Sequence, residues 1–205
     1  MPQKDTVKEY APESYYHVYT RGVNKQKIFL EASDYRYFLS LLERYLSAKR
    51  AVSKTGVPYP NYGQSAKLLA FCLMTNHIHM LVYQADDAQV LRKLMSSVMT
   101  SYSKYFNLKY RRVGAVFESR YKAKRVDDDA YLTHIARYIH MNPRRWSSYR
   151  YSSLPFAFSD DCPAWLSLAD VTSSFKNRQE YLQFHADYQQ NKDALEALKH
   201  QLANN

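Results

Sequence analysis

No apolar run in this sequence approaches the roughly 20 residues that a membrane-spanning helix needs. The opening residues, MPQKDTVKEYAPESYY, have no apolar stretch of the kind a secretory signal carries. Cysteine is scarce: Cys72 and Cys162 stand far apart, without metal-ligand spacing, and Cys72 reads as a small core residue. A reducing, cytoplasmic setting is the expectation, and no membrane partner is expected. No internal repeat is present. Acidic residues are also in short supply, 19 against 29 Lys and Arg, for a net charge of +10.

What is present is enough for a packed fold. Hydrophobic residues make up 46% of the 205, which excludes a disordered chain and allows one sizeable domain with or without an appendage. The positive excess is local. Residues 1–143 hold 22 basic and 12 acidic side chains, whereas residues 144–205 hold 7 of each. Residues 101–125 alone carry 8 basic residues opposed by Glu118, interleaved with Tyr102, Tyr105, Phe106, Tyr110, Phe117 and Tyr121. A charge run is usually a solvated face. One this lopsided, set among rings that can stack on unpaired bases, fits a nucleic-acid surface better.

The chain is organised around LLAFCLMTNHIHMLVY. In a strand alternate side chains share a face, so His77 and His79 point one way while Ile78, Met80 and Val82 point into a core. Two imidazoles side by side are a ready pair of metal ligands. The bland alternative is a half-exposed strand that happens to carry histidine.

Around that stretch, Tyr15 to Gly22 reads as a first strand. Ser33 or Asp34 is the predicted cap of a helix with Tyr37, Phe38, Leu41, Leu42, Tyr45 and Leu46 at helical spacing. Residues 51–66 form a long loop. Residues 67–74 and 77–83 make a hairpin about Thr75-Asn76. Asp86 or Asp87 caps a long helix from Val90 to Phe106. The basic loop KYRRVG leads to a fourth strand, Ala115 to Val126. Asp127-Asp128-Asp129 then starts a helix that Pro143 ends. The predicted class is α+β: a ferredoxin-like β-α-β-β-α-β antiparallel sheet, an added tyrosine-bearing helix for its open face, and a C-terminal helical extension. The expected division is a catalytic domain over 1–145 and an extension over 146–205, with a polar helix at 178–202.

On the added helix Tyr138 and Asn142 are neighbours one turn apart. The first offers a phenolic oxygen that can attack phosphorus, the second a carbonyl oxygen for a metal. A core tyrosine beside a helix-ending asparagine is the competing reading. His134 and His140, on the same helix, read as solvent-facing or packed. Glu118 reads as a salt-bridging strand residue, and His17, on the first strand, is placed as a neighbour of the site without a role.

The series FCLMTNHIHMLV, SYSKYFN, VFESRYKAKRVDDDAYL and RYIHMNP resembles the single-tyrosine transposases of the IS200-like superfamily, and within them the REP-associated tyrosine transposases. The likeness spans roughly residues 14–145, with weaker similarity through YRYSSLPF and PAWL. Thr75 stands where many relatives have proline, which changes turn stiffness and not chemistry. The resemblance implies that His77, His79 and Asn142 hold a divalent metal, Mg²⁺ or Mn²⁺, and that Tyr138 is the nucleophile. It implies cleavage and rejoining of single-stranded or hairpin DNA through a 5′-phosphotyrosine. Lys104, Arg111, Arg112, Arg120, Lys122 and Lys124 are the expected DNA contacts. Such a protein would be cytoplasmic, nucleoid-associated when bound to DNA, and a monomer or homodimer. Two other readings stay open: a non-catalytic hairpin-binding protein, and a phosphodiesterase that uses water.

Overall fold

The computed structural model describes residues 10–126 and 131–188. Four strands form one antiparallel sheet in the order β2-β3-β1-β4: β1 is Ser14–Arg21, β2 Ala66–Met74, β3 His77–Gln84 and β4 Lys122–Val126. Helix α1, Ala32–Leu46, joins β1 to β2, and α2, Val90–Lys109, joins β3 to β4. This is the ferredoxin-like arrangement expected from the order of elements. A third helix, α3 (Leu132–His140), follows β4 and packs on β2 and β3.

Period-two alternation sorts the two faces. On β1, Tyr16 and Val18 are wholly buried while His17 and Tyr19 are not. On β3, Ile78, Met80 and Val82 join the core. Gln84 continues that side, and its Oε1 accepts the Leu91 N–H at 3.2 Å, which seats the start of α2 beneath it. The histidines therefore face the opposite side, the one α3 covers.

Both cap expectations shift. Helix α1 starts two residues before Asp34, because Asp34 sits inside its first turn and accepts the N–H groups of Leu30 and Glu31 at 2.8 and 3.1 Å. Fully buried, Asp34 also takes the Tyr105 and Tyr110 hydroxyls and the Lys109 ammonium, tying α1 to the far end of α2. Asp87 shapes the turn before α2, accepting the Gln89 N–H at 2.8 Å, and the helix begins at Val90.

The fourth strand is shorter than predicted. Strand β1 ends at Arg21, so residues 115–121 have no straight partner to follow. They cross its end instead, with one Gly22–Phe117 bridge and a Glu118 N–H to Arg21 O bond of 2.9 Å. Gly22 is required there, since a Cβ would collide with the Gln26 backbone oxygen. The predicted Asp127–Asp129 helix start lies outside the described residues.

Residues 146–188 complete the core. Ser152 bridges to Cys72 and Leu166 to Leu68, covering the β2 edge. After the short helix α4, Ala169–Thr172, residues 178–188 form α5, which lies against α3. The rest of the predicted 178–202 helix falls outside the described residues. Among those described, no helix is long and apolar enough to cross a membrane.

Candidate functional site

Strands β1 and β3 pair in register, His17 opposite Leu81 and Tyr19 opposite His79, so four rings crowd one patch of sheet. The rings of His77 and His79 meet edge to face, 5.1 Å apart. The His79 ring stacks on His17 with centroids at 5.2 Å, and His79 Nδ1 lies 2.9 Å from His17 Nε2. From the other side, α3 brings down Tyr138, whose ring stands edge-on to both: 5.8 Å from His79 and 5.7 Å from His17. Tyr138 is 51% exposed. It is not a core residue.

Asn142 follows one turn later, where α3 has ended ahead of Pro143. Its amide nitrogen donates to the Tyr138 carbonyl at 3.0 Å. That bond engages the amide nitrogen and leaves the carbonyl oxygen of Asn142 uncommitted, and Asn142 shares a cavity wall with His77. Asn76 holds the other side of His77, its Oδ1 2.6 Å from Nδ1. Since Asn76 Nδ2 already donates to Lys25 O at 3.1 Å, Asn76 Oδ1 is the acceptor and His77 Nδ1 the donor. His77 Nε2 then carries a lone pair.

His77, His79, Tyr138 and Asn142 line one cavity of about 300 Å³ together with Lys122 and Glu118. Burial disfavours charged imidazole and keeps the rings neutral. Desolvation pushes His79 down to about 3, helped by His17, His77 and Arg21. Desolvation, then Lys124, takes His17 down to about 4, and His77 is lowered chiefly by desolvation, opposed by Asn142. Neutral imidazole is the ligating form. Among the described residues no group of three or more His, Cys, Asp or Glu is arranged to hold a metal ion. An ion here depends on two imidazoles and an amide oxygen, a mixed donor set that suits Mn²⁺ or Mg²⁺ with open positions left for substrate.

One reading changes, and one neighbour of the site gains its contacts. Glu118 is neither on a strand nor in an ion pair among the described residues; the 115–121 crossing swings it to the cavity wall. His17 contacts both His79 and Tyr138; its place on the first strand puts it near the site, but a lone histidine carries no sequence signal for its partners. His134 and His140 match their reading. The first bonds Arg137 at the surface, and the second is fully buried, 2.7 Å from Ser153 Oγ and 3.3 Å from His185.

The basic residues spread out from this cavity. Lys122 lines it, with Nζ 5.9 Å above the Tyr19 ring, and Lys124 stands opposite His17 on β4. Lys104 and Arg120 line a larger cavity of about 910 Å³ between α2 and the 115–121 crossing, walled also by Arg92 and Tyr121. Ser119 borders both cavities. Arg111 lies at the exposed tip beyond α2, whereas Arg112 folds back over Phe106 and reaches Gln26.

Comparison with known proteins finds a family model that matches part of the chain and a shared fold. Residues 61–142 match the family model described as "Transposase IS200 like", a span that runs from the loop before β2 to Asn142 itself. No curated protein matches the sequence. Among solved structures, the chain is similar to the REP-associated tyrosine transposase bound to a REP hairpin, with a TM-score of 0.54 at 14% identity, covering 83% of this chain and 94% of that one. The resemblance to IS200-like transposases, and their mixed α/β fold with a four-stranded antiparallel sheet, are thereby shown.

Proposed function

We propose that the protein is a metal-dependent single-stranded DNA endonuclease and strand transferase that cleaves hairpin-associated DNA through Tyr138. The observation that carries this reading is the exposed Tyr138 phenol standing edge-on to His79 in a shared cavity, with Asn142 bonded one turn behind it. A structural, core-filling tyrosine would not be left 51% exposed beside two neutral imidazoles.

His77, His79 and the Asn142 carbonyl are the residues that would hold the ion, which when bound polarises the phosphoryl group and stabilises the leaving oxygen. Tyr138 loses its phenolic proton to solvent and attacks phosphorus. The Tyr138 O–P bond forms as the P–O3′ bond breaks, leaving a 5′-phosphotyrosine and a 3′-hydroxyl that takes up a proton. Because the ester is conserved, attack by a second 3′-hydroxyl reseals the strand and returns the phenol. One set of residues thus serves cleavage and transfer. Lys122 and Lys124 are suited to phosphates next to the scissile bond, and Lys104 and Arg120 to the strand beyond Ser119. Arg111 and Arg112 extend the basic surface to the tip of α2. Hairpin DNA as substrate is carried over from the structural neighbour's bound ligand.

Labelled hairpin DNA with Mn²⁺, resolved on a denaturing gel, tests the reading. The wild type forms a covalent protein–DNA adduct. Tyr138→Phe loses it by at least ~10³-fold while binding DNA as before. An undiminished adduct in that variant sinks the assignment. Binding without adduct or cleavage indicates a hairpin-binding protein, and cleavage without adduct indicates attack by water.

A further inference from the structure

We propose that His17 is a positioning residue that dictates which nitrogen of His79 carries the proton, by accepting it from Nδ1 and leaving Nε2 its lone pair. The inference rests on the metal-site reading above and deepens it with a residue that acts through His79.

Imidazole has two nitrogens, and in the neutral ring one carries the proton while the other keeps a lone pair. His77 has its assignment made for it. The Lys25 carbonyl orients the Asn76 amide, the amide oxygen takes the Nδ1 proton, and Nε2 is left with the lone pair. His79 needs the same service, because a ring protonated at Nε2 has no lone pair to offer the cavity. Neither an amide nor a carboxylate stands at His79 Nδ1; what stands there is His17 Nε2 at 2.9 Å. A contact of that length between two neutral rings contains one proton. If His79 donates, its Nε2 is free to ligate and His17 carries its own proton at Nδ1. If His17 donates, His79 is protonated at Nε2 and closed to a metal. Among the described residues His79 Nε2 takes no hydrogen bond, as the first arrangement requires of a nitrogen kept for a ligand.

The placement of His17 is built into the sheet. Strand β1 runs between β3 and β4, and its odd positions share the face of His77 and His79. The near-parallel stack of the two rings, 17° between planes, keeps their nitrogens in line. His17 also forms part of the wall against which the Tyr138 ring lies, at 82° and 5.7 Å. Ligating histidines ordinarily give their second N–H to a carboxylate, a carbonyl or water. Here a second histidine fills that place, and it accepts only in one of its own two tautomers.

Two measurements on the full chain test this. Two-bond proton–nitrogen correlation spectra of the metal-free wild type read the tautomer of each histidine directly, and His79 is expected as the Nδ1–H form. Finding His79 in the Nε2–H form overturns the proposal whether or not any variant folds. Mn²⁺ affinity is the second readout. His17→Leu, which removes the acceptor, is expected to weaken binding about 10- to 100-fold. His17→Gln, which restores an acceptor oxygen, is expected to recover affinity to within about threefold. Unchanged affinity in His17→Leu, with His79 still in the Nδ1–H form, also overturns it. A wild type that binds no Mn²⁺ defeats the metal reading instead, and the tautomer spectrum still decides the role of His17.

Discussion

Two histidine clusters lie on either side of α3, and they use the same side chain in opposite ways. In the one behind the helix, every ring nitrogen is consumed. The Tyr181 carbonyl can only accept, so His185 donates to it from Nδ1 at 2.7 Å and accepts at Nε2 from His140 Nδ1. His140 Nε2 then accepts from the Ser153 hydroxyl, and Ser153 Oγ takes the Phe71 N–H at 2.9 Å. The relay is directional and closed, and it ties α5, α3, the extension and β2 together. In the cluster before the helix, His77 and His79 are each held through Nδ1, by Asn76 and by His17, both rings line a cavity, and neither Nε2 makes a hydrogen bond among the described residues. A buried polar atom left unpaired costs about 1–3 kcal/mol, so an open nitrogen is tolerable only where water or a ligand reaches it. Histidine content does not separate a site from a core. Nitrogen accounting does.

That contrast is broken most sharply by matched alanine substitutions. His140→Ala removes the middle of the relay and opens a cavity; it is expected to cost about 3 kcal/mol in urea unfolding while leaving Mn²⁺ affinity within about threefold. His79→Ala should do the reverse, costing less stability than His140→Ala and abolishing adduct formation at any Mn²⁺ concentration. If both variants lose stability equally, the two clusters are not distinct in kind.

Acid sharpens the comparison. Burial takes His185 down to about 4 and His140 well below its ordinary value, so the folded state resists protons that the unfolded chain accepts near pH 6.5. Stability is therefore full above about pH 6.5 and falls as pH drops through the folded values. At pH 5 the loss from His185 alone is about 2 kcal/mol, with His17 and His79 adding in the same direction. Urea midpoints at pH 7 and pH 5 measure it, and a flat profile contradicts the burial of these rings.

The smallest effect concerns the surface. Lys104→Ala and Arg120→Ala should each lower the slope of log affinity against log salt by about 1, uniformly across DNA sequences. Neither should touch His79 or its tautomer.

Much of this was legible in the sequence because it repeats locally. Alternation places the hairpin to within a residue, 67–74 and 77–83 against Ala66–Met74 and His77–Gln84, and helical spacing puts Tyr138 beside Asn142. What escapes depends on contacts distant in sequence. His17 meets His79 across 62 residues and His140 meets His185 across 45, and neither pair has a spacing to betray it. The residues 115–121 look strand-like because Val116 and Phe117 are buried, but β1 has already turned away at Gly22. Glu118 goes with them: its neighbours in the chain are basic, while in space it lines the cavity.

The two edges of the sheet have a consequence for the life of the protein in solution. An unpaired strand edge is a template on which another chain can add and begin aggregation. At β2 the bridges from Ser152 and Leu166 occupy that template. At β4 no such cover is present among the described residues, but five residues are a short stretch to copy, and Lys122, Lys124 and Arg125 charge it heavily. The positive strand suited to holding a phosphate backbone thus also repels its own kind, so neutralising those side chains should cost solubility as well as DNA affinity.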